Sequence, residues 1–337
     1  MSPTPSWKDM PSNLEQIACY LCCPDDQARL HVESAALKCT QCGRVYPVRR
    51  GEIVELLPRA PAGPSGNQEY ALEYDRLFHQ AFETRHDAMA WGGRNSRSPS
   101  WIRKRQRQSR AVLSMLMREC QPLSDLVLCD VSAGIGDYTL PFARYFKWVL
   151  HSDLSVDSLE YALTRSKEIG VSNIFFLRVD YFALPFCGTL DRILCLDTLI
   201  RGEGHERALL GQIRKALGGK GRAIVDFHNW WHNPLRRLGL LRQNFGQNRS
   251  YARYQAERLL RESGIEEWKL VRFHQEFEPA NRLYKRLPLL LPATRLMYEF
   301  GVAGFLPNFN RSMEANAQRR DLPASNTARK AMKMSRP

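Results

Sequence analysis

Two Cys-x-x-Cys pairs stand near the start of the chain, Cys19-Tyr20-Leu21-Cys22 and Cys39-Thr40-Gln41-Cys42, with sixteen residues between them. A two-residue spacer turns the backbone tightly enough for both thiolates to face one ion, and two such turns close a tetrahedral site. Zinc is the metal expected for a closed four-thiolate site, and iron fits the same geometry. A closed site leaves no open position for a substrate, so the expected role is structural. Cys23 is an alternative ligand to Cys22 in the first pair. The chain has nine cysteines, and its first residues carry no apolar core of the signal-peptide kind. Metal binding is therefore favoured over a disulfide framework.

A second group of residues suits a nucleotide. Asp130, Asp153 and Asp180 each end an apolar run: Leu126-Val127-Leu128-Cys129-Asp130, Trp148-Val149-Leu150-His151-Ser152-Asp153 and Ile174-Phe175-Phe176-Leu177-Arg178-Val179-Asp180. Ser132-Ala133-Gly134-Ile135-Gly136-Asp137 follows the first run. A glycine turn between a strand and a helix lets backbone approach a ligand closely. Asp153, seventeen residues after Gly136, can accept hydrogen bonds from both ribose hydroxyls. Asp180 can accept from an adenine amino group while its apolar neighbours sandwich the ring. A glycine turn alone is weak evidence, because dinucleotide-binding proteins have similar ones.

The elements that must hold these residues alternate between strand and helix. A helix carrying Leu140, Phe142, Ala143 and Phe146 is expected after the glycine turn. A buried strand over 190–197, a helix over 206–217, a glycine turn at 218–221 and a strand over 222–227 follow. Upstream, 59–67 reads as a Pro/Gly linker, 69–86 as a helix and 101–120 as a helix with a basic start. Downstream, 251–263 reads as a helix, 267–276 as a strand and 293–300 as an apolar helix. The domain boundaries expected from these patterns are a cysteine module over 1–62, linker and lid helices over 63–110, and a nucleotide-binding α/β core over 111–230. A cap over 231–310 and a basic tail over 311–337 complete the chain.

The order of motifs from Leu126 to Phe227 resembles the class I S-adenosylmethionine-dependent methyltransferases. The resemblance implies a Rossmann-like α/β sheet with helices on both faces and S-adenosylmethionine as cofactor. Asp130, Ser132, Gly134 and Gly136 match the glycine motif that holds the methionine part of the cofactor. Asp153, with Leu154 beside it, matches the ribose acid. Asp180 and Tyr181 match the adenine contact, with Leu196 also at the cofactor. Leu184-Pro185-Phe186 matches a frequent following motif. Ser132 departs from the family, which has its first glycine there. The segment 17–58, with Tyr46-Pro47-Val48, Gly51 and Leu56-Leu57-Pro58, resembles the Trm-type zinc ribbon, a small activator of tRNA methyltransferases. The family's usual proline directly after the first cysteine is absent, since Tyr20 occupies that place.

Methyl transfer from a sulfonium needs positioning and, in some enzymes, a base, so no universal catalytic residue can be sought. Asp197, His205 and His228 are the candidate bases, with Asp197 and His228 foremost. The strand end at Leu196-Asp197-Thr198-Leu199 lacks the Asn-Pro-Pro-Tyr pattern of adenine amino methylation, and the chain lacks the Pro-Cys pair of cytosine C5 methylation. The net charge is +14, with seven basic residues and no acid over 94–110. Such a field concentrates anions. An anionic small-molecule or lipid-linked acceptor is expected. RNA methylation and a non-catalytic zinc-stabilised binding module remain as alternatives, and contact with RNA or a membrane surface would run through the basic segments. The longest apolar runs are far below the roughly 20 residues of a membrane span. A cytoplasmic location is expected, with peripheral membrane contact as a second possibility.

Overall fold

A computed structural model describes residues 10–60, 62, 99–117, 122–198, 204–227, 251, 253–265, 268–272 and 303–307. The first helix, α1 (Met10–Ala18), buries Leu14 and Ile17 against a small antiparallel sheet of β1 (Leu30–Glu33), β2 (Ala36–Cys39) and β3 (Val45–Tyr46). Ser34 and Ala35 close the β1–β2 hairpin with φ of 49° and 61°. Both are left-handed, as a two-residue hairpin turn demands. The ribbon does not stop there. β4 (Val48–Arg49) and β5 (Ile53–Leu56) form a second hairpin, and β5 joins the edge of the large sheet.

That large sheet has nine strands, in the order β11-β12-β10-β9-β6-β7-β8-β5-β4. Its members are β6 (Val127–Val131), β7 (Trp148–Asp153), β8 (Ile174–Val179), β9 (Leu190–Cys195), β10 (Leu217–Phe227), β11 (Trp268–Arg272) and β12 (Ala303–Pro307). From β10 through β5 all neighbours run parallel, whereas β12 is antiparallel to β10 and β11. Seven strands make the Rossmann-like unit, and the ribbon supplies the other two. β5 pairs in register with β8, Ile53 opposite Phe176 and Leu56 opposite Val179, and Arg178 reaches Glu55 at 3.6 Å across the pair.

The core strands are buried on both faces, so successive residues feed different cores. On one face Val127, Leu150, Phe175, Leu177, Ile193 and Val225 pack with ribbon residues Ile17, Leu37, Tyr46 and Leu56 and with helix α5 (His205–Ala216). On the other, Leu128, Val149, Phe176, Leu194 and Ile224 meet α2 (Pro99–Leu116), α3 (Thr139–Phe142) and α4 (Val156–Glu168). Helix α4 shows why the sequence folds as it does. Ser155 caps it by accepting from the Ser158 amide, Asp157 stands in the first turn, Arg165 and Lys167 in the last, and Leu159, Ala162 and Leu163 face inward. Helix α6 (Arg253–Glu262) buries Ala256 and Leu260 at helical spacing.

Two local expectations are corrected. The helix expected to carry Leu140 through Phe146 is only the short α3, continued by a 3-10 turn over Ala143–Tyr145. The expected glycine turn at 218–221 lies within strand β10, which bulges between Leu217 and Arg222 against β9. The backbones are so close there that a Cβ on Gly221 would collide with the Leu190 carbonyl. Glycine serves close approach here rather than chain reversal. The expected helices at 69–86 and 293–300, most of the cap and the basic tail lie outside the described residues.

Candidate cofactor cleft and ribbon metal site

The sheet order reverses beside β6: β7 and β8 continue to one side, β9 and β10 to the other. A crevice forms outside the carboxyl ends of the strands at such a switch point. Asp130 is the penultimate residue of β6 there, Asp153 ends β7, Asp180 follows β8, and Leu196 and Asp197 follow β9. The loop from Ser132 to Gly136 holds three left-handed residues, with φ of 55° at Ser132, 54° at Gly134 and 86° at Gly136. Gly136 also packs tightly, since a Cβ there would stand 3.1 Å from Leu140 Cγ. Ser132 takes its conformation without glycine's freedom, at a cost of about 1 kcal/mol.

Asp153 fastens this loop. The Gly134 amide donates to its Oδ2 at 2.8 Å, and the Ser155 amide donates to Oδ1 at 2.9 Å. A carboxylate accepts more than one hydrogen bond per oxygen, so ribose hydroxyls can still be received. Asp180 is buried and accepts from the Phe182 amide at 2.9 Å, shaping the 3-10 turn Tyr181–Ala183. The Tyr181 and Phe182 rings lie 4.4 Å apart, and Phe182 meets the His205 ring edge-on at 5.3 Å. Leu154 is half-buried and its carbonyl accepts from Arg178 Nε at 3.3 Å.

A buried polar chain lies under the glycine loop. Asp130 and His151 are opposite each other on β6 and β7, both almost wholly buried. Thr139 Oγ1 stands 2.6 Å from Asp130 Oδ2 and 2.9 Å from His151 Nδ1, and His151 Nε2 is 3.0 Å from the Gly134 carbonyl. The carbonyl only accepts, so Nε2 carries a proton. Thr139 has one proton for two neighbours. If it goes to a charged Asp130, His151 must be an imidazolium. If Asp130 is a carboxylic acid, it donates to Thr139, which donates to a neutral His151. Burial decides between them, because it disfavours both charges. It pushes the Asp130 carboxyl up to about 7, helped by the charges of Asp153 and Asp137 and opposed by Thr139. It pushes His151 down to about 3 against the pull of the Gly134 carbonyl. Below about pH 7 the neutral arrangement follows.

In the ribbon, the structure gathers a different quartet from the expected one. Cys23, Asp26, Cys39 and Cys42 place their ligand atoms within 4.8 Å of one another. Cys19 is exposed and its thiol points to the Gln16 carbonyl, while the Cys22 sulfur lies 2.7 Å from that of Cys187. Cys39 and Cys42 therefore meet Cys23 and Asp26, not Cys19 and Cys22. The amides of Gln41 and Cys42 both donate to the Cys39 sulfur at 3.4 Å, and Tyr46 Oη is 2.9 Å from the Cys23 sulfur. Burial pushes the Cys23 thiol up, and the Tyr46 hydroxyl partly offsets this. The Ala28 amide, foremost, holds the Asp26 carboxyl down at about 2, so it is ionised. Three sulfurs and one carboxylate oxygen fit a zinc ion.

Residues 20–51 match the family described as Trm112p-like protein. The matched segment contains Cys23 and leaves out Cys19. Among solved structures, the chain is similar to magnesium protoporphyrin IX methyltransferase from Synechocystis PCC 6803, determined with bound SAH. The two are 17% identical with a TM-score of 0.51, over 71% of this chain and 99% of that one. It is also similar to geranyl diphosphate C-methyltransferase from Streptomyces coelicolor A3(2), at 14% identity and a TM-score of 0.46, over 72% and 98% of the two chains. No curated protein matches the chain in sequence. The fold is that of a class I S-adenosylmethionine-dependent methyltransferase.

Within that methyltransferase fold, Asp130, Ser132, Gly134, Gly136, Asp153, Leu154, Asp180, Tyr181 and Leu196 all fall at the carboxyl edge of β6 to β9 or in the turns just beyond it. Asp197 is exposed, has φ of 59°, and donates its amide to the buried Asp226 at 2.8 Å. His205 is a buried first residue of α5. His228 lies outside the described residues. Sequence reasoning missed Thr139, His151, Asp226 and Asp26. A histidine inside the apolar run 148–153 was a usable signal for the second of these. Cys23-Pro24 was a signal for the fourth, because it restores the proline that Tyr20 lacks.

Proposed function

We propose that the chain transfers the methyl group of S-adenosylmethionine to an anionic small-molecule or lipid-linked acceptor, and that its ribbon holds a structural zinc. The observation that carries this reading is the set of acids at the ends of three adjacent parallel strands, arranged around a left-handed glycine loop at the switch point. In this reading Asp153 receives the ribose hydroxyls and positions Gly134, and Asp180 receives the adenine amino group beside Tyr181. Asp130 and His151 hold the loop from beneath. The cofactor supplies an already activated methyl group, so the chain's part is to bind, orient and exclude water. Asp197, exposed at the end of β9, is the described residue best placed to take a proton from an acceptor.

The relative with the Synechocystis methyltransferase fold is named for a small-molecule acceptor, which supports an acceptor of that size. The net charge of +14 supports an anionic one. Cys23, Asp26, Cys39 and Cys42 would hold the zinc, which closes the ribbon beside β5. The Trm112p-like match favours RNA as a second acceptor class. Titration calorimetry with S-adenosylmethionine should give saturable binding that Asp153→Ala weakens at least tenfold. Absence of heat from the intact protein would overturn the cofactor reading. Salt-sensitive copurification of nucleic acid would turn the acceptor toward RNA, whereas flotation with anionic vesicles would support a lipid-linked one.

A further inference from the structure

The sulfurs of Cys22, in the ribbon, and Cys187, in the methyltransferase core, lie 2.7 Å apart across 165 residues of chain. Neither belongs to the metal quartet. The distance is less than about 1 Å longer than a disulfide bond of ~2.05 Å. The surroundings hold both backbones in place. The Cys22 amide donates to the Pro185 carbonyl at 2.8 Å, and Thr189 Oγ1 donates to the Tyr20 carbonyl at 2.8 Å, so each thiol is bracketed by a ribbon-to-core hydrogen bond. The two partners differ in access: Cys22 is buried and Cys187 is exposed. Gln27 lies beside both, its Oε1 3.2 Å from the Cys187 sulfur and 3.7 Å from that of Cys22.

We infer that Cys22 and Cys187 form a site of oxidative modification, a disulfide that clamps the ribbon to the loop leading from the Tyr181 turn into β9. The oxidant is a peroxide. The Cys187 sulfur attacks one peroxide oxygen, the O–O bond breaks, and a sulfenic acid and water result. The Cys22 sulfur then attacks the Cys187 sulfur and expels the hydroxyl, which leaves as water with the Cys22 proton. Two thiols and one peroxide yield one disulfide and two waters. The exposed thiol meets the oxidant, and the buried one waits within bonding reach. Little backbone movement is needed, because the hydrogen bonds on either side already fix the separation.

The test uses the full-length, zinc-loaded protein, treated with hydrogen peroxide or kept in reductant, then alkylated, digested without reduction and sequenced by mass spectrometry. The expected result is a peptide pair joined through Cys22 and Cys187, lighter by two hydrogens. It should be abolished in Cys187→Ser and retained in Cys19→Ser. Oxidation should also raise the thermal midpoint by roughly 5 °C, reversed by dithiothreitol and absent from Cys187→Ser. A link through Cys19 or Cys23 instead would overturn the proposal. So would Cys187 stopping at the sulfenic or sulfinic stage with Cys22 still alkylated.

Discussion

His151 Nε2 stands 3.0 Å from the carbonyl of Gly134, so an imidazole buried in β7 holds a loop residue that follows β6. Its other nitrogen reaches Asp130 through Thr139. One chain of hydrogen bonds therefore joins the acid at the strand end to the loop that it precedes. A lone buried carboxyl in this position would be costly. Shared with Thr139 and a neutral imidazole, it is satisfied as the acid.

This arrangement fixes a pH dependence. The Asp130 carboxyl is near 4 in an unfolded chain and about 7 when folded, so the folded state binds the extra proton between those values. Its contribution to stability is full below the unfolded value and is lost as pH rises toward 7. Asp130→Asn places a permanent donor against Thr139 and escapes that loss. Its stability relative to the wild type should rise from pH 4 to 7, by up to about 4 kcal/mol, and then level off. Denaturant midpoints measured at each pH give the curve. A difference independent of pH would show that Asp130 is ionised throughout.

For His151 the sign is opposite. Its folded value near 3 lies below the unfolded one, so its contribution is lost as pH falls from about 6.5 toward 3. Between roughly pH 4 and 6.5 the two groups offset each other, because folding only moves one proton from the imidazole to the carboxyl. His151→Ala should uncover the Asp130 slope alone in that window. It should also loosen Gly134 and weaken binding of S-adenosylmethionine severalfold, which calorimetry can read beside the stability curve.

The fold was legible because buried parallel strands read as unbroken apolar runs, and each of 126–130, 148–153 and 174–180 ended in an acid. Spacing along the chain was enough there. It was not enough in the ribbon, where Cys19-Tyr20-Leu21-Cys22 has the favoured spacing but Leu21 is buried and the adjoining turn sends Cys22 to Pro185. Which cysteines meet is decided by packing against a core 165 residues away, and no local pattern contains that. The bulge in β10 has the same origin: four residues suited to a turn are held flat by the β9 backbone. Asp226 and Thr139 were illegible for another reason. Each is an ordinary polar residue until the neighbouring strand or turn brings it a partner.

The metal quartet makes a separable forecast. Zinc measured by plasma mass spectrometry should be near one per chain in the wild type, in Cys19→Ser and in Cys22→Ser. It should fall severalfold or more in Cys23→Ser, Cys39→Ser and Cys42→Ser. Asp26→Cys should keep the metal and hold it more tightly, because a fourth thiolate replaces a harder oxygen. Loss of zinc from Cys22→Ser with retention in Cys23→Ser would restore the spacing-based quartet.

Gly136 tests the loop itself. Its φ of 86° and the 3.1 Å approach of Leu140 Cγ penalise any side chain. Gly136→Ala should cost about 1–3 kcal/mol of stability, from left-handed strain and displaced packing together. It should also weaken cofactor binding more than Gly219→Ala, where a Cβ meets open space. Parallel calorimetry and urea melts of the two variants make the comparison.

The ribbon and the methyltransferase unit should unfold together. Leu56 is fully buried and lies in β5, a ribbon strand paired in register with β8. Its side chain belongs to the same core as Leu177 and Phe186. Leu56→Ala should therefore cost about 2–5 kcal/mol. That loss should appear in one cooperative transition, seen alike by tryptophan fluorescence and by far-ultraviolet circular dichroism. Chelation of the ribbon metal should shift that same transition downward instead of melting a separate ribbon. Two resolved transitions, with only the smaller one sensitive to chelator, would mean that β5 binds the sheet too weakly to couple the halves.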